Sequence, residues 1–419
     1  MPGLLDIDFV RQKLLSVIDQ VRQLQLSEFP YDEPKAALVL LIDMYKSDLS
    51  RLDGIDETTD VQVRQQVCAH ANARVARYYS VMGFILRSTN VRNAFEIYDP
   101  LLQMCRKVYG IDAKLIISSE WNFSPFTYPA VTDDLPNLMF IGLPSTEAGN
   151  SLILPLAGHE LGHSIWRKKK GGSPALAIDK KLQQSLLSMY VANWKDFQKT
   201  FNVSNPDSDL LTDLFLRNIW TQSYKLAIRQ VEELFCDLIG LRIFGESFLY
   251  SFLYLIAPNI GDRAAHYPAL VARVTVLTEA CKHYAIEQPK DFQSYFLDPP
   301  KRIPSADEFV LKMADLASEA LTSDLIEVVR EHITKSALPL PDNAERDRIV
   351  KQFCALSPAS SINALGDIIN AGWKLRLDWK LWSKFNFDAQ TRLDVLNDLV
   401  FKTMEVMEFE SKTGAPANA

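Results

Sequence analysis

Apolar residues recur every three or four positions along most of this chain, and that spacing restricts it to a largely helical fold. Leu14, Val17, Ile18, Val21 and Leu24 form one such stripe, the period of a helix with a single buried face. The same period predicts helices over residues 35–52, after the Pro30 to Pro34 break, over 61–86, and over roughly 91–108. It lapses between Ala113 and Leu143. There Leu115 to Ile117, the aromatic and proline-rich Trp121 to Pro129, and Leu138 to Ile141 predict two or three short strands in a small sheet. Beyond Gly149 the helical period returns, broken at Gly171-Gly172, Asn202 to Asp207, Pro258 to Gly261, Pro299-Pro300 and Leu338 to Pro341, and Ser411 to Ala419 is expected to fray. The expected class is mainly α (α+β), in three regions: a helical N-terminal region 1–110, a core 111–290 with the small sheet, and a helical C-terminal region 291–419.

Composition narrows the function. With 47% hydrophobic and 23% charged residues in 419, the chain can bury a large core. A net charge of −7 argues against nucleic acid as a partner, because neutralising phosphates takes a concentrated basic surface. The one basic run, Arg167 to Lys170, reads as cations offsetting a helix dipole. Five cysteines, an odd and widely spaced set without a C-x-x-C pair, fit reduced thiols. The first residues lack a basic-then-apolar signal pattern. The apolar run Phe248 to Ala257 is ten residues, where a spanning helix needs about 20. A cytoplasmic protein with no membrane-spanning segment is expected.

Chemistry concentrates in Leu156-Ala-Gly-His159-Glu160-Leu-Gly-His163-Ser-Ile165. An H-E-x-x-H spacing inside a helix places both imidazoles one turn apart on one face, where both reach a single Zn²⁺. Glu160 flanks that face and can take a proton from water without competing as a ligand. Apolar flanks on both sides predict a buried helix, in which two imidazoles and a carboxylate need a partner. A third ligand is required. Position 169 is Lys, so the H-E-x-x-H-x-x-G-x-x-H pattern is absent, and a later glutamate must serve. Gln230-Val-Glu232-Glu233-Leu-Phe-Cys-Asp237-Leu-Ile-Gly240 offers Glu233 as ligand and Asp237, one turn on, as acceptor of a ligand histidine N–H. Glu232 is the adjacent alternative ligand; Arg229 or Arg242 satisfying a purely structural Glu233/Asp237 pair is the other reading.

His159-Glu-Leu-Gly-His163 followed by Glu233-Leu-Phe-Cys-Asp237 resembles the gluzincin pattern H-E-x-x-H then E-x-x-x-D of thermolysin-like zinc metallopeptidases. His266-Tyr-Pro-Ala-Leu-Val-Ala-Arg273-Val-Thr-Val-Leu277 is similar to the H-P-x-x-x-R-I-x-x-L segment of HtpX and CAAX-protease type peptidases, with an extra Tyr between His266 and Pro268. The resemblance covers about 140 residues and implies a zincin-like core with an edge strand lining the cleft. It implies zinc on His159, His163 and Glu233, Glu160 as base, Asp237 behind the ligands, and His266 and Arg273 near the site. The oxyanion donor stays open among His266, Tyr267 and Tyr250. The strand Leu138 to Ile141 is either that peptide-pairing edge or buried core.

The function expected is hydrolysis of peptide or protein substrates. A zinc hydrolase of a small amide or ester would use the same residues, and a helical interaction protein with a silent metal site is the non-enzymatic alternative. The terminal helical regions could recruit a regulatory protein. Trp373, Trp379 and Trp382 read as core aromatics.

Overall fold

The computed structural model describes residues 5–89, 94–128, 135, 137–168, 173–203, 213–257, 263–296 and 305–414. It is mainly α, 72% helical with one two-stranded parallel sheet. The chain divides into two compact units, Met1–Tyr98 with Gly110–Ala148, and Asp99–Tyr109 with Gly149–Ala419.

The first unit contains α1 (Leu5–Gln25), α2 (Glu33–Asp53), α3 (Val61–Arg87), and strands β1 (Lys114–Glu120) and β2 (Leu138–Pro144). The predicted stripe Leu14, Val17, Ile18 and Val21 is buried in a core shared with Leu38, Leu41, Tyr45, Phe84, Ile116 and Phe140. Asp60 starts α3 by accepting from the Gln62 and Val63 amides, which satisfies two of the first-turn donors. β1 and β2 run parallel from Lys114↔Leu138 to Glu120↔Pro144. All seven β2 residues are buried, and on its other side Gly142 pairs with Phe126. The expectation of a free peptide-pairing edge at Leu138 to Ile141 is therefore corrected: this strand is core, as its uninterrupted apolar run requires.

The second unit begins with residues from α4 (Tyr98–Val108) and continues with α5 (Leu156–Trp166), α6 (Pro174–Ala192), α7 (Trp194–Phe201), α8 (Leu214–Phe244) and α9 (Glu246–Ile256). Then come α10 (Leu270–Tyr284), α11 (Ala306–Glu319), α12 (Thr322–Lys335), α13 (Asn343–Cys354), α14 (Leu365–Leu377) and α15 (Ala389–Thr413). The 31-residue α8 is the axis of this unit, with α5, α6, α9, α10, α11, α12 and α14 packed on it. Asp213 caps its start through the Phe215 and Leu216 amides. Gly245, at φ +64°, turns it directly into α9, a backbone state that a side chain disfavours.

The three-region division is corrected on both sides. The sheet belongs with the N-terminal helices, because its apolar residues complete their core. The C-terminal helices are built into the second unit: Trp373 Nε1 donates to Leu152 O at 2.9 Å, and Asn397 Oδ1 accepts from Ser151 N and Oγ, which ties α14 and α15 to the segment entering α5. Trp373 and Trp382 are buried, the latter donating to Phe353 O. Ser411 to Thr413 continue α15 rather than fray, and 415–419 lie outside the described residues, as do the expected breaks at 171–172, 258–261 and 299–300 and most of that at 202–207. No described helix is long and apolar enough to cross a membrane.

Candidate metal centre

The centre is assembled where α5 lies against α8. A Cβ on Gly162 would stand 2.7 Å from Cys236 Cα, and one on Gly158 would stand 3.1 Å from Gly240 Cα. Glycines one turn apart on α5 thus let the backbones meet. From Gln230 to Leu241 every α8 residue is buried, so Glu232, Glu233 and Asp237 need partners inside the protein.

Two of the three have them. Asp237 Oδ1 lies 2.9 Å from His159 Nδ1, and both its oxygens accept from Arg273 of α10 at 2.7 Å. Glu232 Oε1 lies 3.0 Å from His163 Nδ1, and its carboxylate also accepts from Arg167 Nε at 3.0 Å and from Arg229 at 2.7 Å. An ionised carboxylate can only accept, so each Nδ1 carries a proton and each Nε2 is the ring nitrogen left to face elsewhere. Both Nε2 atoms face Glu233: His159 Nε2 is 3.3 Å from Oε2 and His163 Nε2 is 3.7 Å from Oε1. Glu233 Oε2 is buried and makes no hydrogen bond. A buried carboxylate oxygen without a hydrogen bond beside two imidazole nitrogens is an arrangement that could hold a cation.

The electrostatics agree. Burial pushes Glu232 and Asp237 up, but His163 and Arg167 for the first, and Arg273 and His159 for the second, override it and bring both down to about 2. Burial also pushes Glu233 up, and His159, His163 and Arg273 more than reverse it. Burial lowers His159, yet Asp237 and Glu233 outweigh it and raise the imidazole to about 10. Glu160, Glu232, Glu233 and Asp237 outnumber Arg167, Arg229 and Arg273 by one, a surplus that a proton on His159 balances without a metal. Glu160 is buried beside both histidines, and burial holds its carboxyl above the usual range while His159 and His163 pull it back.

Of the sequence-predicted residues, His159, Glu160, His163, Glu233, Asp237 and Arg273 come together. His266 does not: it is exposed, lies against the Tyr267 ring at 4.7 Å, and makes no hydrogen bond or ion pair with these groups among the described residues. Tyr267 feels Glu233, Arg273 and Glu160, and burial first, then Glu233, raises its phenol. Arg263 clamps the Tyr267 carbonyl at 3.0 and 2.9 Å and is itself paired with Asp315 of α11. Tyr250 stacks on Trp373 and feels Glu246 and Glu287 instead.

Sequence reading missed Arg167 and Arg229 as clamps on Glu232. Their signal was spacing: Arg167 continues the His159, His163 face by one more turn, and Arg229 precedes Glu232 by three. Cys236 was missed too. One ring nitrogen from each of His159 and His163 and the Cys236 Sγ lie within 4.8 Å of one another, which makes the thiol a rival third ligand. Glu233 is the better one. It faces the free Nε2 atoms and carries a charge, whereas burial and four neighbouring acids hold the Cys236 thiol well above its ordinary value. No protein-family model, curated protein or solved structure matches this chain.

Proposed function

We propose that the protein is a zinc-dependent metallopeptidase of gluzincin type, with His159, His163 and Glu233 as ligands and Glu160 as general base. The observation that supports this reading is the buried Glu233 carboxylate, whose Oε2 makes no hydrogen bond and whose two oxygens face the Nε2 atoms of His159 and His163, rings held by Asp237 and Glu232. When bound, Zn²⁺ supplies Lewis acidity toward the scissile carbonyl and lowers the pKa of water toward neutrality. Glu160 takes the proton from the attacking water and passes it to the leaving amine; its raised pKa suits a group that must both accept and return a proton near neutral pH. Asp237 and Glu232 keep the imidazoles oriented, and Arg273, Arg167 and Arg229 keep those carboxylates ionised. Tyr267, whose phenol is raised by burial and by Glu233, is the candidate donor to a carbonyl oxygen as it becomes negative.

Metal content of the purified protein, with cleavage of a mixed peptide library, tests this. Wild type is expected to hold one zinc, Glu233→Ala to lose it, and Cys236→Ser to keep it. Glu160→Gln should keep zinc and lose activity by roughly 10²–10⁴. Folded wild type that binds no zinc sinks the reading, and zinc lost in Cys236→Ser but kept in Glu233→Ala would transfer the third ligand to the thiol.

A further inference from the structure

Away from the metal centre, at the junction of α8 and α9 around Gly245, lies a cavity of about 250 Å³ lined by Arg242, Glu246, Tyr284, Glu287 and Asn370 among others. Arg242 is its unusual member. The guanidinium lies over the Tyr284 ring at 4.8 Å, but Arg242 forms no ion pair with any described carboxylate, and its Nε is buried without a hydrogen bond. Burial, with Arg330 adding to it, holds the guanidinium below its ordinary value, so nothing nearby stabilises the charge as a carboxylate would. Asn370 is buried, and its Oδ1 already accepts from Ser247 N at 2.8 Å, which leaves its amide NH₂ for an acceptor.

The same lining carries the opposite charge. Glu246 is paired with Arg346 at 2.8 Å, Asp342 caps α13 by accepting from the Ala344 and Glu345 amides, and Glu287 is exposed and has no ion-pair partner among the described residues. Glu246 and Glu287 repel each other: burial first, and Glu287 as well, hold Glu246 above its ordinary value in spite of Arg346. Arg242 pairs with neither. A bare anion such as phosphate would satisfy Arg242 but meet the two glutamates. A bare cation would satisfy Glu287 but meet Arg242. Only a ligand with both charges matches the whole lining.

We propose that this cavity binds a small zwitterion carrying a carboxylate and an ammonium group, the chemistry of a free amino acid, with Arg242 and Asn370 on the carboxylate and Glu287 with Glu246 on the ammonium. The inference does not depend on the metal centre. Calorimetric titration of the full chain with L-alanine, N-acetyl-L-alanine and L-alaninamide tests it, since each derivative removes one of the two charges. L-Alanine is expected to bind, both derivatives to bind roughly tenfold more weakly or worse, and Arg242→Met and Glu287→Gln each to weaken L-alanine to a similar degree. Glu287 is exposed, so its variant keeps the test valid if Arg242→Met fails to fold. The proposal is overturned if L-alanine does not bind, if N-acetyl-L-alanine binds as well as L-alanine, or if binding survives Arg242→Met and vanishes in Glu233→Ala, which would place it at the metal centre.

Discussion

β2 and the middle of α8 are both buried along their whole length, yet opposite forces put them there. Leu138 to Pro144 has no titratable side chain, pairs with β1 and packs into the apolar core of the first unit, so hydrophobic burial accounts for it. Gln230 to Leu241 carries three acids inside the second unit. Each such charge costs several kcal/mol to desolvate unless it is paired. Asp237 and Glu232 are held by arginines and imidazoles, and Glu233 keeps an oxygen that makes no hydrogen bond and lies 3.3 Å from His159 Nε2. Burial in the first region is therefore an end in itself, and in the second it carries the cost of desolvating three charges, which the proposed cation site would explain.

Substitutions can separate the two. The largest effect is expected from Glu233→Ala, which should weaken zinc by about a thousandfold or more while leaving the metal-free protein as stable as wild type or more so; a clear loss of metal-free stability would mean that Glu233 is structural. Leu41→Ala, at a fully buried position of the first core, should cost about 2–5 kcal/mol in chemical denaturation and leave zinc stoichiometry unchanged. Gly162→Ala forces a Cβ toward the Cys236 backbone and should cost about 1–3 kcal/mol, with zinc affinity falling alongside because the two helices are pushed apart. Asp237→Asn keeps the shape but not the charge, and should lower zinc affinity about 10–100-fold.

The smallest effect is the pH response of the metal-free protein. His159 is raised to about 10, so its contribution is fully present below the unfolded value of about 6.5 and is lost as pH rises through about 10. Thermal melts after chelation should fall across that window, and His159→Gln should flatten the fall. An equal slope in His159→Gln would assign it to other groups.

The helices were legible because their apolar period is local: the Leu14 to Val21 stripe and the segments 35–52 and 61–86 correspond to α1, α2 and α3. The H-E-x-x-H turn was legible for the same reason, four residues being one helical turn. Glu232 against Glu233 was not decidable from spacing, since adjacent residues on a helix differ by about 100° and only the partner helix fixes which one faces the histidines. His266 and Tyr267 pose the same difficulty in a loop, where adjacent rings cannot be told apart by spacing.

By itself, then, the sequence determined the helical class and the one-turn spacing of His159 and His163 on α5, because both are properties of a single segment. Tertiary structure alone decided that the sheet joins the N-terminal helices, that Arg273 and Arg167 reach two of the three acids on α8, and that Glu233 is the one left facing the histidines. Those outcomes depend on which charges meet across helices far apart in the chain, and a buried charge is settled by its partners rather than by its neighbours in sequence.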